Sequence, residues 1–147
     1  MAVTNLDQNN PVFPHPNNAD QTPEGLLAIG GNLAPNTLLT AYRMGIFPWY
    51  AEGDPILWWS PAIRCVLDPY NPHISKSLKR QIRKTPYQIT SDKVFEEVVE
   101  NCSKINRGHS HGTWINSDMR RAYYDLFTIG AAHSIEIWIN DELVGGL

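Results

Sequence analysis

Proline placement limits what this chain can fold into more than any other feature. Pro48, Pro55, Pro61 and Pro69 punctuate IFPWYAEGDPILWWSPAIRCVLDP. Each removes a backbone donor, fixes φ and pushes the preceding residue toward extended backbone. That stretch cannot be one helix, so it reads as short extended pieces. Upstream, four of the eleven prolines and five asparagines crowd residues 1–23. This reads as an extended or mobile N-terminus, with Val12–Phe13 pinned to the body. Between the two proline-rich regions lies PNTLLTAYRMG. Pro35 suits a first helical turn, Leu38, Ala41 and Tyr42 share a face, and Gly45 is a natural stop. Residues 24–60, opening with GLLAIGG, therefore read as a small lobe of short strands around one helix.

From residue 61 onward the pattern changes. IRCVL alternates as a strand does. Ser75 is placed to cap SKSLKRQIRK, and Tyr87–Thr90 reads as a strand. Asp92 is placed to cap KVFEEVVENC, while Ser117 or Asn116 starts DMRRAYYDLFTIG. In that last helix Met119, Ala122, Tyr123, Leu126 and Phe127 trace an apolar stripe, which Gly130 closes. HSIEIWI, a turn at Asn140–Glu142 and LVGGL make a hairpin pattern. The fold class is α+β, with a second unit over residues 61–147. An uncovered two-stranded ribbon is marginal alone. The expectation is therefore an incomplete polypeptide, or one that needs a partner to finish its sheet.

The formal charge is -3 over 147 residues, which excludes a generally basic nucleic-acid coat but not a local basic patch. No apolar run reaches the ~18–20 residues a membrane span needs. The N-terminus lacks the charged start and apolar stretch of a signal peptide. The two cysteines, Cys65 and Cys102, suggest no disulfide framework. A cytoplasmic protein is expected, without membrane association.

Three constellations carry possible chemistry. Lys76, Lys79, Arg80, Arg83 and Lys84 form a stripe by three- and four-residue steps, with no acid between Asp68 and Asp92. Such a stripe is either a solvated helix face or a surface that grips phosphates without reading sequence. Against an acidic remainder its field is focused. The second constellation is aromatic: Tyr42, Trp49, Tyr50, Trp58, Trp59 and Trp114. Indoles either anchor a core or present a flat face to a base. Trp49 and Trp114 lie in loops, which favours the ligand role for those two. Histidine is the third. His109 and His111 lack a third ligand at metal spacing and read as loop residues. His133 and Glu136 sit three apart on a strand and so point to opposite faces. From the residues alone, this is a binder of RNA phosphate and a stacked base.

The segments PEGLLAIGGNL, LLTAYRMGIFPWY, DPILWWSP, HISKSLKR, GTWI and AHSIEIW…LVGGL, in this order, resemble the leucyl/phenylalanyl-tRNA–protein transferase family. The resemblance implies a cytoplasmic enzyme with no metal or cofactor, monomeric at full length, in which a small lobe precedes a GNAT-like domain. It implies transfer of Leu or Phe, and Met less well, from aminoacyl-tRNA to an N-terminal Arg or Lys of an acceptor protein, within an N-degron pathway. By the same resemblance Trp49 and Trp114 hold the tRNA 3′-terminal adenosine, with Tyr42 and Tyr123 nearby. Leu147 walls an apolar side-chain pocket, and the basic helix from Lys76 to Lys84 grips tRNA phosphates. From spacing alone, Tyr123 and Leu147 read as core. The family's Gly-Glu-Ser segment and catalytic Asp/Gln pair lie beyond Leu147, so no catalytic residue is expected within this chain, which would then be a partial GNAT-like domain, inactive alone. The rival expectation is a non-catalytic tRNA- or RNA-binding remnant.

Overall fold

Trp58 explains much of the first sheet. Its indole is fully buried, its Nε1–H donates to the Gly30 carbonyl at 2.8 Å, and Phe13 meets it edge-on at 4.8 Å. A buried indole stabilises by its area only when its N–H finds a partner, and here the neighbouring strand supplies one. The computed structural model describes residues 3–19, 24–105 and 113–147. In it, β1 (Thr4–Leu6), β2 (Leu26–Gly30), β3 (Phe47–Pro48) and β4 (Leu57–Trp59) form a sheet ordered β1-β2-β4-β3. β1 runs parallel to β2 and the other pairs are antiparallel. Helix α1 (Pro35–Arg43) buries Thr37, Leu38 and Ala41 against this sheet's core. Gly45 then takes φ +71, a left-handed turn that side chains resist, and returns the chain to β3.

The second half contains α2 (Lys76–Lys84), β5 (Gln88–Ser91), α3 (Phe95–Lys104), α4 (Ser117–Thr128), β6 (Ile135–Ile139) and β7 (Glu142–Gly146). β5, β6 and β7 make an antiparallel sheet in that order. The hairpin turns through Asn140 and Asp141, both at positive φ, the conformation a two-residue type I′ turn requires. Phe95 of α3 stacks on Phe127 of α4 at 4.3 Å. Gly146 lets β7 lie close to α3, since a Cβ there would meet the Val98 methyls at 2.9 Å. The two halves are not separate cores: Ala122 and Leu126 of α4 share one buried cluster with Leu38, Ala41 and Trp58.

Most elements follow the sequence, and the differences have physical causes. Within the N-terminal stretch, Thr4–Leu6 is a strand, added through backbone pairing to β2. Val12 is exposed, so of the pair only Phe13 packs on the body. The expected strand at Ile63–Leu67 is absent. Those residues have no ladder partner, and Ile63 and Val66 are 85% and 86% exposed. Alternation alone does not make a strand without a neighbour to pair with. Asp92 does not cap α3. It sits at φ +59, and its carboxylate turns instead to the start of β6. Ser75 and Asn116 cap α2 and α4 as expected, accepting from the Leu78 and Met119 N–H groups. No helix among the described residues is long and apolar enough to cross a membrane.

Candidate functional site: an aromatic cleft

The turn that joins β3 to β4 places Trp49 at the edge of the first sheet. Its backbone N–H donates to the Leu57 carbonyl at 2.9 Å, and its own carbonyl accepts from Trp59 Nε1 at 2.7 Å. Held at both ends of its peptide, Trp49 keeps 55% of its surface exposed. Its ring lies 5.9 Å from that of Trp59, tilted by 58°. Across the gap, the Asn116 cap starts α4, and Trp114 just before it meets Tyr123 edge-on at 6.2 Å. Tyr42, at the end of α1, hydrogen-bonds the Tyr123 hydroxyl at 2.6 Å and so ties the two helices together. These elements enclose an open cleft of about 820 Å³, with Tyr42, Trp49, Trp59, Trp114 and Tyr123 among its walls.

Burial pushes the Tyr42 hydroxyl well above its ordinary range, and its partner Tyr123 adds to the rise. Tyr123 rises too, mainly through burial, with the bond from Tyr42 partly offsetting it. Both phenols are therefore neutral donors at physiological pH, able to orient a polar edge but not to act as bases. Tyr50 also lines the cleft, and its hydroxyl is buried with no hydrogen bond of proper geometry among the described residues. Burial raises its pKa, and the neighbouring Asn116 amide offsets this only in part. Among the described residues the walls carry one carboxylate, Asp54.

Six residues singled out in the sequence thus converge: Tyr42, Trp49, Tyr50, Trp59, Trp114 and Tyr123. Tyr123, read from spacing as core, is half-buried with its hydroxyl at the cleft. Leu147, also read as core, is 85% exposed and does not line the cleft. Its backbone continues the β6–β7 ladder by pairing with Ile135. Lys76, Lys79, Arg80, Arg83 and Lys84 are all exposed on α2, which buries none of its residues. Trp58 is purely a core anchor. His109 and His111 lie outside the described residues. Among the described residues no group of three or more potential metal ligands occurs. Sequence reasoning missed Asp54 altogether. The GDP turn that carries Asp54 read only as a chain break, although a carboxylate three residues before the tryptophan-bearing strand β4 was the available signal.

His133 and Glu136 have different partners, in keeping with their opposite faces. His133 Nδ1 pairs with Asp92 Oδ2 at 2.7 Å, and the Ser134 N–H donates to Asp92 Oδ1 at 2.8 Å. The Asp92 bond raises the His133 pKa, and the His133 and Ser134 bonds lower that of Asp92. A raised histidine stabilises fully below its ordinary 6.5 and loses this as pH climbs through its folded value. A lowered aspartate stabilises above its ordinary 3.8 and loses this as pH falls through its folded value. The pair is complete between those limits. The stability difference between wild type and His133→Asn, followed by urea unfolding from pH ~4.5 to ~8.5, is expected to shrink at the alkaline end. A difference that stays flat across the range would contradict the pairing.

The cleft's size and flat walls suit a ring system of nucleoside dimensions carrying a further group. Comparison with known proteins narrows this. Residues 66–147 match the leucyl/phenylalanyl-tRNA protein transferase family, and residues 31–62 match that family's N-terminal domain. The chain is 48% identical over all 147 residues to the leucyl/phenylalanyl-tRNA–protein transferase of Enterobacter sp. (strain 638). It is 47% identical to that of Yersinia enterocolitica serotype O:8 and 48% identical to that of Escherichia fergusonii. In each case the match covers the whole of this chain and 61–62% of the relative. The chain belongs to the leucyl/phenylalanyl-tRNA–protein transferase family, and it spans about 62% of the length of these relatives.

Proposed function

We propose that this chain binds the aminoacylated end of a tRNA, as part of an enzyme that transfers Leu or Phe, and Met less well, to an N-terminal Arg or Lys of acceptor proteins in an N-degron pathway. The observation that carries this reading is the convergence of Trp49, Trp114, Tyr42 and Tyr123 on one cleft. In the proposed roles the indoles stack on the terminal adenosine, the two phenols orient its polar edges, and the cations of α2 hold phosphates further along the tRNA. Leu147, at the sheet's end, is proposed to face the amino-acid side chain.

The chemistry is aminolysis of an ester, downhill without a nucleotide cofactor. The attacking α-amine must be neutral, the tetrahedral oxyanion must be stabilised and the departing ribose hydroxyl must gain a proton. An apolar side-chain pocket would favour Leu, Phe and Met over smaller residues by ~1–3 kcal/mol per missing methylene. The tRNA role of α2 is tested by filter binding of Leu-tRNA to the chain across a salt series. Arg80→Glu with Arg83→Glu is expected to reduce the slope of log K against log salt by about 1.5. An unchanged slope would remove α2 from the interface, and no binding of charged tRNA by the wild-type chain would overturn the reading as a whole.

A further inference from the structure

We propose that Trp59 is a positioning residue of the aromatic cleft, which holds the Trp49 indole at the angle where that ring meets a nucleobase. This rests on the reading above for the ligand, but its physical basis is local. Trp58 and Trp59 are neighbours on β4, so their side chains leave opposite faces of the sheet. Trp58 goes to the core, which puts Trp59 on the cleft wall. β4 is an inner strand, and Trp59 pairs with Leu26 on one side and with Phe47 on the other. Its ring therefore rises from a strand braced from both sides.

Trp49 has no such footing. It follows the two-residue edge strand β3, leads into the turn and is more than half exposed. Its carbonyl is taken by the Trp59 Nε1–H at 2.7 Å rather than by a neighbouring strand. The Trp59 ring itself lies 5.9 Å from the Trp49 ring, tilted by 58°. The bond fixes the peptide plane that follows Trp49, and the neighbouring ring narrows the rotamers open to the indole. An exposed side chain that is free to turn must be ordered when a base stacks on it, and that ordering subtracts from affinity. A side chain ordered beforehand avoids the loss. The paired tryptophans of ILWWSP thus divide the work: one anchors the core and the other sets the ring that faces the ligand.

Two measurements on the 147-residue chain test this, and the first needs no ligand. With isotope-labelled tryptophan each indole N–H gives its own NMR signal, and those of Trp49 and Trp59 are assigned by their loss in Trp49→Ala and Trp59→Phe. The Trp59 indole hydrogen is expected to exchange slowly with solvent. The Trp49 ring should have an order parameter of about 0.85 in the wild type, falling below about 0.6 in Trp59→Phe. The Trp58 signal, from the indole bonded to Gly30, should not change, which separates lost position from lost fold. The second measurement is a mutant cycle with a non-hydrolysable 3′-leucylamino-adenosine, its affinity read by calorimetry. Trp59→Phe keeps a ring and removes the N–H, and is expected to weaken binding by about three- to tenfold, the net worth of one hydrogen bond. In the Trp49→Ala background the same substitution should cost nothing further, because no ring is left to place. A loss of equal size in both backgrounds would make Trp59 a ligand contact in its own right and overturn the assignment. A Trp49 ring that stays ordered in Trp59→Phe, or a Trp59 indole hydrogen that exchanges freely, would overturn it too. If the analogue fails to bind the wild type while the order of the Trp49 ring depends on Trp59, the positioning role stands and the adenosine reading falls.

Discussion

Replacing Glu136 by leucine is expected to lower the unfolding free energy by about 4 kcal/mol. The Glu136 side chain has no exposed surface, yet it carries a carboxylate. Ser134 Oγ donates to it at 2.5 Å, the Thr90 hydroxyl donates to its other oxygen, and the Lys93 N–H donates at 3.2 Å. The Lys93 amide lies just before α3, so the buried anion ties the approach to that helix to β6. Burial raises its pKa, but the hydrogen bonds it accepts outweigh that, so the group ends below the ordinary 4.5. By linkage, that stabilisation is present above the ordinary value and is lost as pH falls through the folded one. Leucine removes the acceptor and strands several donors, at ~1–3 kcal/mol each before the two hydroxyls find other partners. Urea unfolding at neutral pH measures the loss, and a change under ~1 kcal/mol would show that the donors are satisfied elsewhere.

The second large effect belongs to the cleft. Trp49→Ala and Trp114→Ala are each expected to weaken binding of a 3′-aminoacyl-adenosine by about 5- to 150-fold, as the loss of one stacked base costs ~1–3 kcal/mol. Stability should change little for Trp49, which is more than half exposed and contributes its backbone rather than its ring to the β3–β4 turn. Trp59 would lose its tilted neighbour but keep its bond to the residue 49 carbonyl. A Trp49→Ala protein that melts like wild type and binds the adenosine with undiminished affinity would remove Trp49 from the site.

The sequence made some of this visible and concealed the rest for identifiable reasons. Helices with a cap, an apolar stripe and a glycine stop were legible, since each signal is local: α1 from Pro35 to Gly45, and α4 from Asn116 to Gly130. The hairpin was legible from its turn. Loop placement also singled out Trp49 and Trp114 as the ligand candidates among the tryptophans, and both border the cleft. What could not be read were features fixed by register across long stretches of chain. Thr4–Leu6 becomes a strand only because β2 offers its edge, and Ile63–Leu67 fails to become one because nothing offers an edge to it. Asp92 looked like a cap because caps precede apolar runs. At its positive φ the carboxylate instead accepts from the Ser134 N–H and pairs with His133. Asp54 was hidden for a similar reason: only the folded turn shows that it borders an aromatic cleft rather than bulk solvent.

The most direct measurement is a structure of the chain with a bound 3′-leucylamino-adenosine. The account predicts the adenine ring in contact with the faces of Trp49 and Trp114, the Tyr42–Tyr123 pair within hydrogen-bond reach of the nucleoside, and the leucyl group directed out of the indole walls. An adenine bound away from both indoles, with the cleft unchanged, would contradict it.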